Sequence, residues 1–190
     1  MEWCEMGSLD DLLKSQHPIP LHRQYLARII CGIATALHFL HKQNIFHGSV
    51  YIDNILIDHN MVGRLAGLST CQMISQNTII KPYRICSYRA PETYGEKIQA
   101  FPQDMFAVGV ILYRCLIGYL PNRKKNGEVD YHGLKSSLHI PLDSEMWYTT
   151  QLLLSNKLDF RPTAGQLLYT DWIIRSKTER IKRIFNWNFE

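Results

Sequence analysis

From Leu21 to His41 the apolar residues Tyr25, Leu26, Ile29, Ile30, Ile33, Leu37 and Leu40 recur at spacings of three and four. That period draws a single apolar stripe along a helix of about five turns, and such a stripe has to be covered by other elements. A second stretch, "MFAVGVILYRCLIGYL", is apolar nearly throughout, but Arg114 interrupts it. Crossing a bilayer would mean burying that charge in hydrocarbon, so the stretch is read as a core helix near Gln103 to Leu116. Two long helices, one striped and one apolar all round, confine the chain to a helical domain whose centre is the second and whose flank is the first.

The remaining segments are shorter. Ser8 is placed to cap a helix carrying Leu9, Leu12 and Leu13, and Pro18 and Pro20 then punctuate the chain. Ile55 to Ile57 reads as a strand, "DHN" as a turn and "VGRLAG" as its return, which predicts a small hairpin. An irregular stretch from Leu68 to Tyr94 follows, then the apolar helix, a loop over 122–133, and helices near 143–155 and 163–185. The fold class expected is mainly α with a small β-hairpin.

The chain has 190 residues, 46% hydrophobic and 20% charged, without repeats or low-complexity tracts, so one folded domain is expected. Its start, "MEWCEMGSLDD", has neither a basic nor a long apolar segment, which argues against a secretory signal and for a cytoplasmic protein. Five cysteines, Cys4, Cys31, Cys71, Cys86 and Cys115, are odd in number and form no C-x-x-C pair, so reduced thiols are expected. The net charge of +4 identifies no partner by itself.

The informative stretch is "IFHGSVYIDNILID", residues 45–58. Its core, "HGSVYIDN", lies without gaps on the pattern H-R-D-L-x-x-x-N. Thirteen positions beyond Asn54 comes Gly67 of "GLS", followed by "RAPE" with Ala90, Pro91 and Glu92, "PQDMFAVGVILY" with Asp104, and "RPTAGQLL" with Arg161. In this order the motifs resemble the C-terminal lobe of the eukaryotic protein kinase superfamily. The resemblance implies a kinase-like lobe over 1–175, with a hinge remnant at 1–9, a catalytic-loop region at 45–58 and an activation-segment remnant at 67–92. It also implies that Glu2, Trp3 and Cys4 are what remains of a nucleotide-binding hinge, with Met1 at the gatekeeper position. On that alignment the N-terminal lobe is expected to be absent, together with its Gly-rich loop, lysine and regulatory-helix glutamate.

Against the family pattern the departures fall on chemistry. Ser49 stands where a carboxylate should take the substrate hydroxyl's proton, and a neutral hydroxyl is no proton acceptor without a base of its own. Tyr51 replaces a lysine common at that position in serine/threonine kinases, and Gly48 replaces the arginine that anchors an activation-loop phosphate. Gly67 occupies the place of the D-F-G aspartate, the chief Mg²⁺ ligand, and has no side chain. Asn54 is retained, either as one weak neutral ligand or as a bond to its own loop backbone. Asp53 and Asp58 lie nearby as carboxylates, although neighbouring positions aim their side chains differently.

The kept positions are read as structural. His47 packs under the loop, Asp104 accepts from loop amides, and Glu92 pairs with Arg161. No cofactor is expected, ATP and Mg²⁺ included, and no metal site, since His41, His47 and His59 lack ligand spacing. Ser69, Thr70, Ser75, Thr78, Tyr83, Ser87 and Tyr88 are hydroxyls open to phosphorylation in principle, with Lys81, Arg84 and Arg89 as phosphate contacts.

The expected function is that of a catalytically inactive kinase-like domain, a pseudokinase, acting as scaffold or allosteric regulator in intracellular signalling by binding another protein, such as an active kinase. The alternative is a piece of a longer kinase retaining ATP binding and weak phosphotransfer to serine, threonine or tyrosine. No nucleic-acid module is present. The segment 176–190 alternates basic residues with Ile181, Ile184, Phe185 and Trp187, an amphipathic pattern suited to packing on the domain or to peripheral contact with an anionic membrane.

Overall fold

A computed structural model describes residues 4–16, 21–75, 80, 86–94, 99–131 and 144–185. The helices are α1 (Leu9–Gln16), α2 (Arg23–Lys42), α3 (Ala100–Ile117), α4 (Ser144–Leu153), α5 (Ala164–Leu167) and α6 (Asp171–Phe185). The strands are β1 (Ile45–Phe46), β2 (Ile55–Ile57), β3 (Gly63–Leu65) and β4 (Gln72–Met73). The lobe is thus mainly helical with a small antiparallel hairpin, as expected. Met1, Glu2, Trp3, Pro18, Pro20, Thr78, Lys81, Tyr83 and Arg84, and the tail side chains from Glu179 onward, lie outside the described residues.

The apolar stripe of α2 does what its period requires. Leu26, Ile29, Ile30, Ile33 and Leu37 are buried, and the helix packs against β3, α3, α5 and α6. Each fully buried leucine or isoleucine contributes roughly 1.5–3 kcal/mol relative to exposure, so this face alone outweighs any intrinsic helix propensity. Helix α3 is the centre: every position from Gln103 to Tyr113 is buried. By length and composition it could cross a membrane, but 78% of it is buried inside the lobe, with Asp104 in its second turn. That is the environment of a core helix.

The hairpin β2–β3 pairs Ile55 with Leu65 and Ile57 with Gly63. Its turn is built by Asp58, whose Oδ1 accepts from the amides of Asn60 and Val62 at 2.9 Å each. The N-terminal segment joins the other edge of β2, where the Ile57 amide donates to Gly7 O at 2.9 Å. Ser8 then caps α1: its hydroxyl accepts from the Asp11 amide at 3.1 Å, and its own amide donates to Asp11 Oδ2 at 3.0 Å.

Two features differ from the sequence expectation. The stretch 68–94 is not wholly irregular, because β4 pairs with β1 through Ile45–Met73 and Phe46–Gln72. Two-residue strands have no alternation long enough to be seen in a sequence. The predicted helix over 163–185 is two helices, α5 and α6, separated at Leu168–Thr170. Thr163 and Gln166 close a capping box on α5, while Thr170 donates its hydroxyl back to Leu167 O and opens α6 with its carbonyl, which accepts from the Ile173 and Ile174 amides. Trp172 and Ile173 at the start of α6 are buried, and Trp172 Nε1 donates to Thr149 Oγ1 of α4 at 3.1 Å.

Candidate functional site

The loop between β1 and β2 is held from below by one carboxylate. Asp104, fully buried on α3, accepts from the His47 amide through Oδ2 and from the Gly48 amide through Oδ1, each at 3.0 Å. His41 Nε2 approaches the same Oδ2 at 2.9 Å from the end of α2. Three donors on one buried carboxylate offset its desolvation, because a charge taken out of water is tolerable only when its lone pairs are satisfied. His41 was not visible as a partner in the sequence. It is 63 positions from Asp104 and lies on no shared motif.

His47 has a defined tautomer. Nδ1 accepts from the Ser49 amide at 3.2 Å, so the ring proton is on Nε2, which donates to Ala66 O at 3.0 Å. Burial pushes its pKa below the ordinary histidine value, against the opposing pull of Asp104 and the Ala66 carbonyl, and the neutral ring is the one this bonding needs. Thr70 Oγ1 lies 3.0 Å from His47 O and 3.2 Å from Gly67 O, tying the start of the activation segment to the loop.

The upper face is where the chemistry would sit. Ser49 is buried, and its carbonyl accepts from Asn54 Nδ2 at 2.9 Å. Among the described residues no carboxylate bonds to the Ser49 hydroxyl. Tyr51 is half-buried and packs its ring against that of Tyr88, centroids 6.1 Å apart. Gly67 has φ of +80°, a left-handed conformation that favours glycine. A Cβ built on Gly67 would overlap Asn54 Nδ2 and lie 2.6 Å from Asn54 Cγ. The space a side chain at Gly67 would need is therefore filled by the amide of Asn54.

Of the two other carboxylates, one is engaged elsewhere and one faces solvent. Asp58 closes its turn and takes Arg64 Nε at 3.2 Å and NH2 at 2.9 Å on Oδ2. Burial works to raise its pKa, but the hydrogen bonds from Val62, Arg64 and Asn60 prevail and hold it below the ordinary aspartate value. Asp53 is exposed on the short turn Ile52–Asn54. Among the described residues no three His, Cys, Asp or Glu side chains gather as a metal-binding group. Cys4, the described member of the hinge trio, is half-buried and reduced.

Below the site, Arg161 forms a fork on Glu92, NH1 to Oε1 at 2.6 Å and NH2 to Oε2 at 3.1 Å. The same guanidinium donates to Pro102 O and Ser155 O at 2.7 Å each and lies 5.1 Å from the Phe106 ring centroid. Arg123, which the sequence did not single out, approaches the same ring at 4.6 Å and donates to Ser87 O and Arg89 O. Of the candidate phosphorylation hydroxyls, Thr70 is engaged as above and Tyr88 is buried.

A family model for the protein kinase domain matches residues 1–173. The chain is 30% identical over 180 residues to the probable cell cycle serine/threonine-protein kinase CDC5 homolog of Encephalitozoon cuniculi, covering 88% of this chain and 37% of that protein. It is 28% identical over 171 residues to serine/threonine-protein kinase GIN4 of Saccharomyces cerevisiae, covering 85% of this chain and 14% of the relative. With mitogen-activated protein kinase kinase kinase 12 of Rattus norvegicus it shares 26% identity over 174 residues, 88% of this chain and 19% of that one. The chain thus spans well under half the length of these curated relatives.

Proposed function

The chain belongs to the protein kinase domain family, and from that premise we propose that it acts by binding another protein and not by transferring phosphate. The observation that carries this reading is the overlap between Asn54 and the space above Gly67. Phosphotransfer needs a hard cation held by carboxylate oxygens and a base to position the nucleophile. The residues present do not fit that group: Gly67 offers no ligand, Asn54, whose Nδ2 donates to Ser49 O, offers a single neutral oxygen, and the Ser49 hydroxyl has no charge. ATP and Mg²⁺ are therefore not expected as cofactors. The buried charges beneath these residues are paired, Asp104 with the loop amides and Arg161 with Glu92, which suits a lobe kept for its surface. A scaffold or regulatory role in signalling, inside the cell, accords with a fold used this way.

The second reading has its own observation, since the chain spans only 37% of its relative in Encephalitozoon cuniculi, itself a kinase by name. A piece of a longer kinase with weak phosphotransfer would share this lobe. Radiolabelled ATP separates the two. We expect no incorporation into the chain or into a generic acceptor protein above that of the Asn54→Ala variant. Incorporation that Asn54→Ala abolishes would overturn the non-catalytic reading, and recovery of the chain only as a lone monomer from its native cells would remove the binding half.

A further inference from the structure

Helices α2 and α6 and strand β3 border a groove of about 440 Å³ that neither Ser49 nor Gly67 lines. Its form follows from two glycines. A Cβ at Gly32 would overlap Gly63 O, and one at Gly63 would lie 2.6 Å from Ile29 O, so helix and strand meet backbone to backbone. The small side chains of Ala27 and Ala36 leave the floor open, and Val62, Leu65 and Ile173 line it with apolar surface.

The rim is basic. Arg28, Arg64 and Lys177 all line the groove, and among the described residues no Asp or Glu does. Arg64 holds Asp58, but Arg28 reaches only Asn60 O at 3.4 Å and the Tyr25 ring at 5.9 Å. Arg28 Nε is buried with no hydrogen-bond partner among the described residues, an inward donor lacking an acceptor. Neither Arg28 nor Lys177 forms an ion pair with a described carboxylate. Like charges gathered on a half-enclosed apolar wall are poorly screened, and a ligand that supplies carboxylates relieves them.

We propose that this groove is a docking site for an acidic peptide segment of a partner protein, an apolar side chain seated between α2 and β3 and flanking carboxylates on Arg28 and Lys177. The proposal deepens the protein-binding reading and rests on it only in taking the partner to be a protein.

The test uses the full chain and a fluorescein-labelled peptide of alternating Glu and Leu, with its Gln-for-Glu counterpart, followed by fluorescence anisotropy. The acidic peptide is expected to bind about tenfold more tightly than the Gln peptide, and Arg28→Glu/Lys177→Glu to weaken it by at least about tenfold. Lys125→Glu, on an exposed loop outside the groove, changes charge in the same direction and should have little effect. Ala36→Trp fills the groove without changing charge and should block binding while thermal unfolding shows the fold intact. Equal loss with Lys125→Glu, or binding unaffected by Ala36→Trp, would mean diffuse attraction and overturn the proposal. So would binding to phosphatidylserine vesicles through the same residues with no binding of the peptide. Phosphotransfer by the chain would defeat the non-catalytic reading and leave the docking groove standing.

Discussion

The lower half of the lobe and its upper face have been treated differently by the same fold. Below, Asp104 has three donors among the described residues, and the terminal nitrogens of Arg161, fully buried as a side chain, donate to Glu92 and two carbonyls. Above, Asn54 donates to Ser49 O, Thr70 to Gly67 O and the Ser49 amide to His47 Nδ1, all neutral hydrogen bonds with no ion pair among them. The difference is one of cost. A buried charge that loses its partner destabilises the whole domain, whereas a reactive group near the surface can be replaced with little effect on folding. The paired charges of the lower half are thus what the fold itself requires.

The sharpest way to break the comparison is to damage the lower half. Arg161→Ala leaves the Glu92 carboxylate and the carbonyls of Pro102 and Ser155 without their donor and should destabilise by about 3–5 kcal/mol. Urea unfolding followed by circular dichroism measures this. A loss below about 1 kcal/mol, the scale of an exposed pair, would show that the lower half is not under the constraint described.

Legibility in the sequence followed the same division. Helices α2 and α3 were readable because their burial has a period or is continuous, and the β2–β3 hairpin because apolar runs flank "DHN". The positions of Asp104, Glu92 and Arg161 came through the family resemblance, since no local pattern links residues 57 or 69 positions apart. The β1–β4 pair, the break at Leu168–Thr170 and the contact of His41 with Asp104 were not readable. Each depends on tertiary packing over spans too short or too distant to leave a period. For the candidate site, residue identities disclosed the missing carboxylates, but not that Asn54 fills the place above Gly67. That fact requires the φ of Gly67 and the rotamer of Asn54 together.

The upper face can be probed by restoring what it lacks. Gly67→Asp places a side chain at φ of +80° and forces Asn54 away from Ser49 O. Left-handed strain and a lost hydrogen bond together should cost about 2–3 kcal/mol. In the double variant with Asn54→Ala the overlap is gone, so the two effects should fall short of additive by about 1 kcal/mol. If Gly67→Asp instead folds without cost and gains thermal stability from MgCl₂ with ATP, the upper face is an open metal site awaiting a ligand, and the contrast with the lower half disappears.

The smallest effect tests the seam between the halves, where His47 connects the Asp104 anchor to Ser49. Burial lowers the pKa of His47 in the folded chain, so the unfolded chain binds the extra proton first as pH falls. Stability contributed by the neutral ring is therefore complete above the ordinary histidine pKa of about 6.5 and declines as pH falls below it, until the folded ring also protonates. For one proton the slope is at most about 1.4 kcal/mol per pH unit. In His47→Asn the amide oxygen can still accept from the Ser49 amide, but nothing titrates there. Urea titrations at intervals from pH 7 to pH 5 should show a shallower decline for the variant than for the parent chain. Parallel curves would mean that His47 protonates without disturbing the Ser49 and Ala66 bonds, and that the loop is held by Asp104 alone.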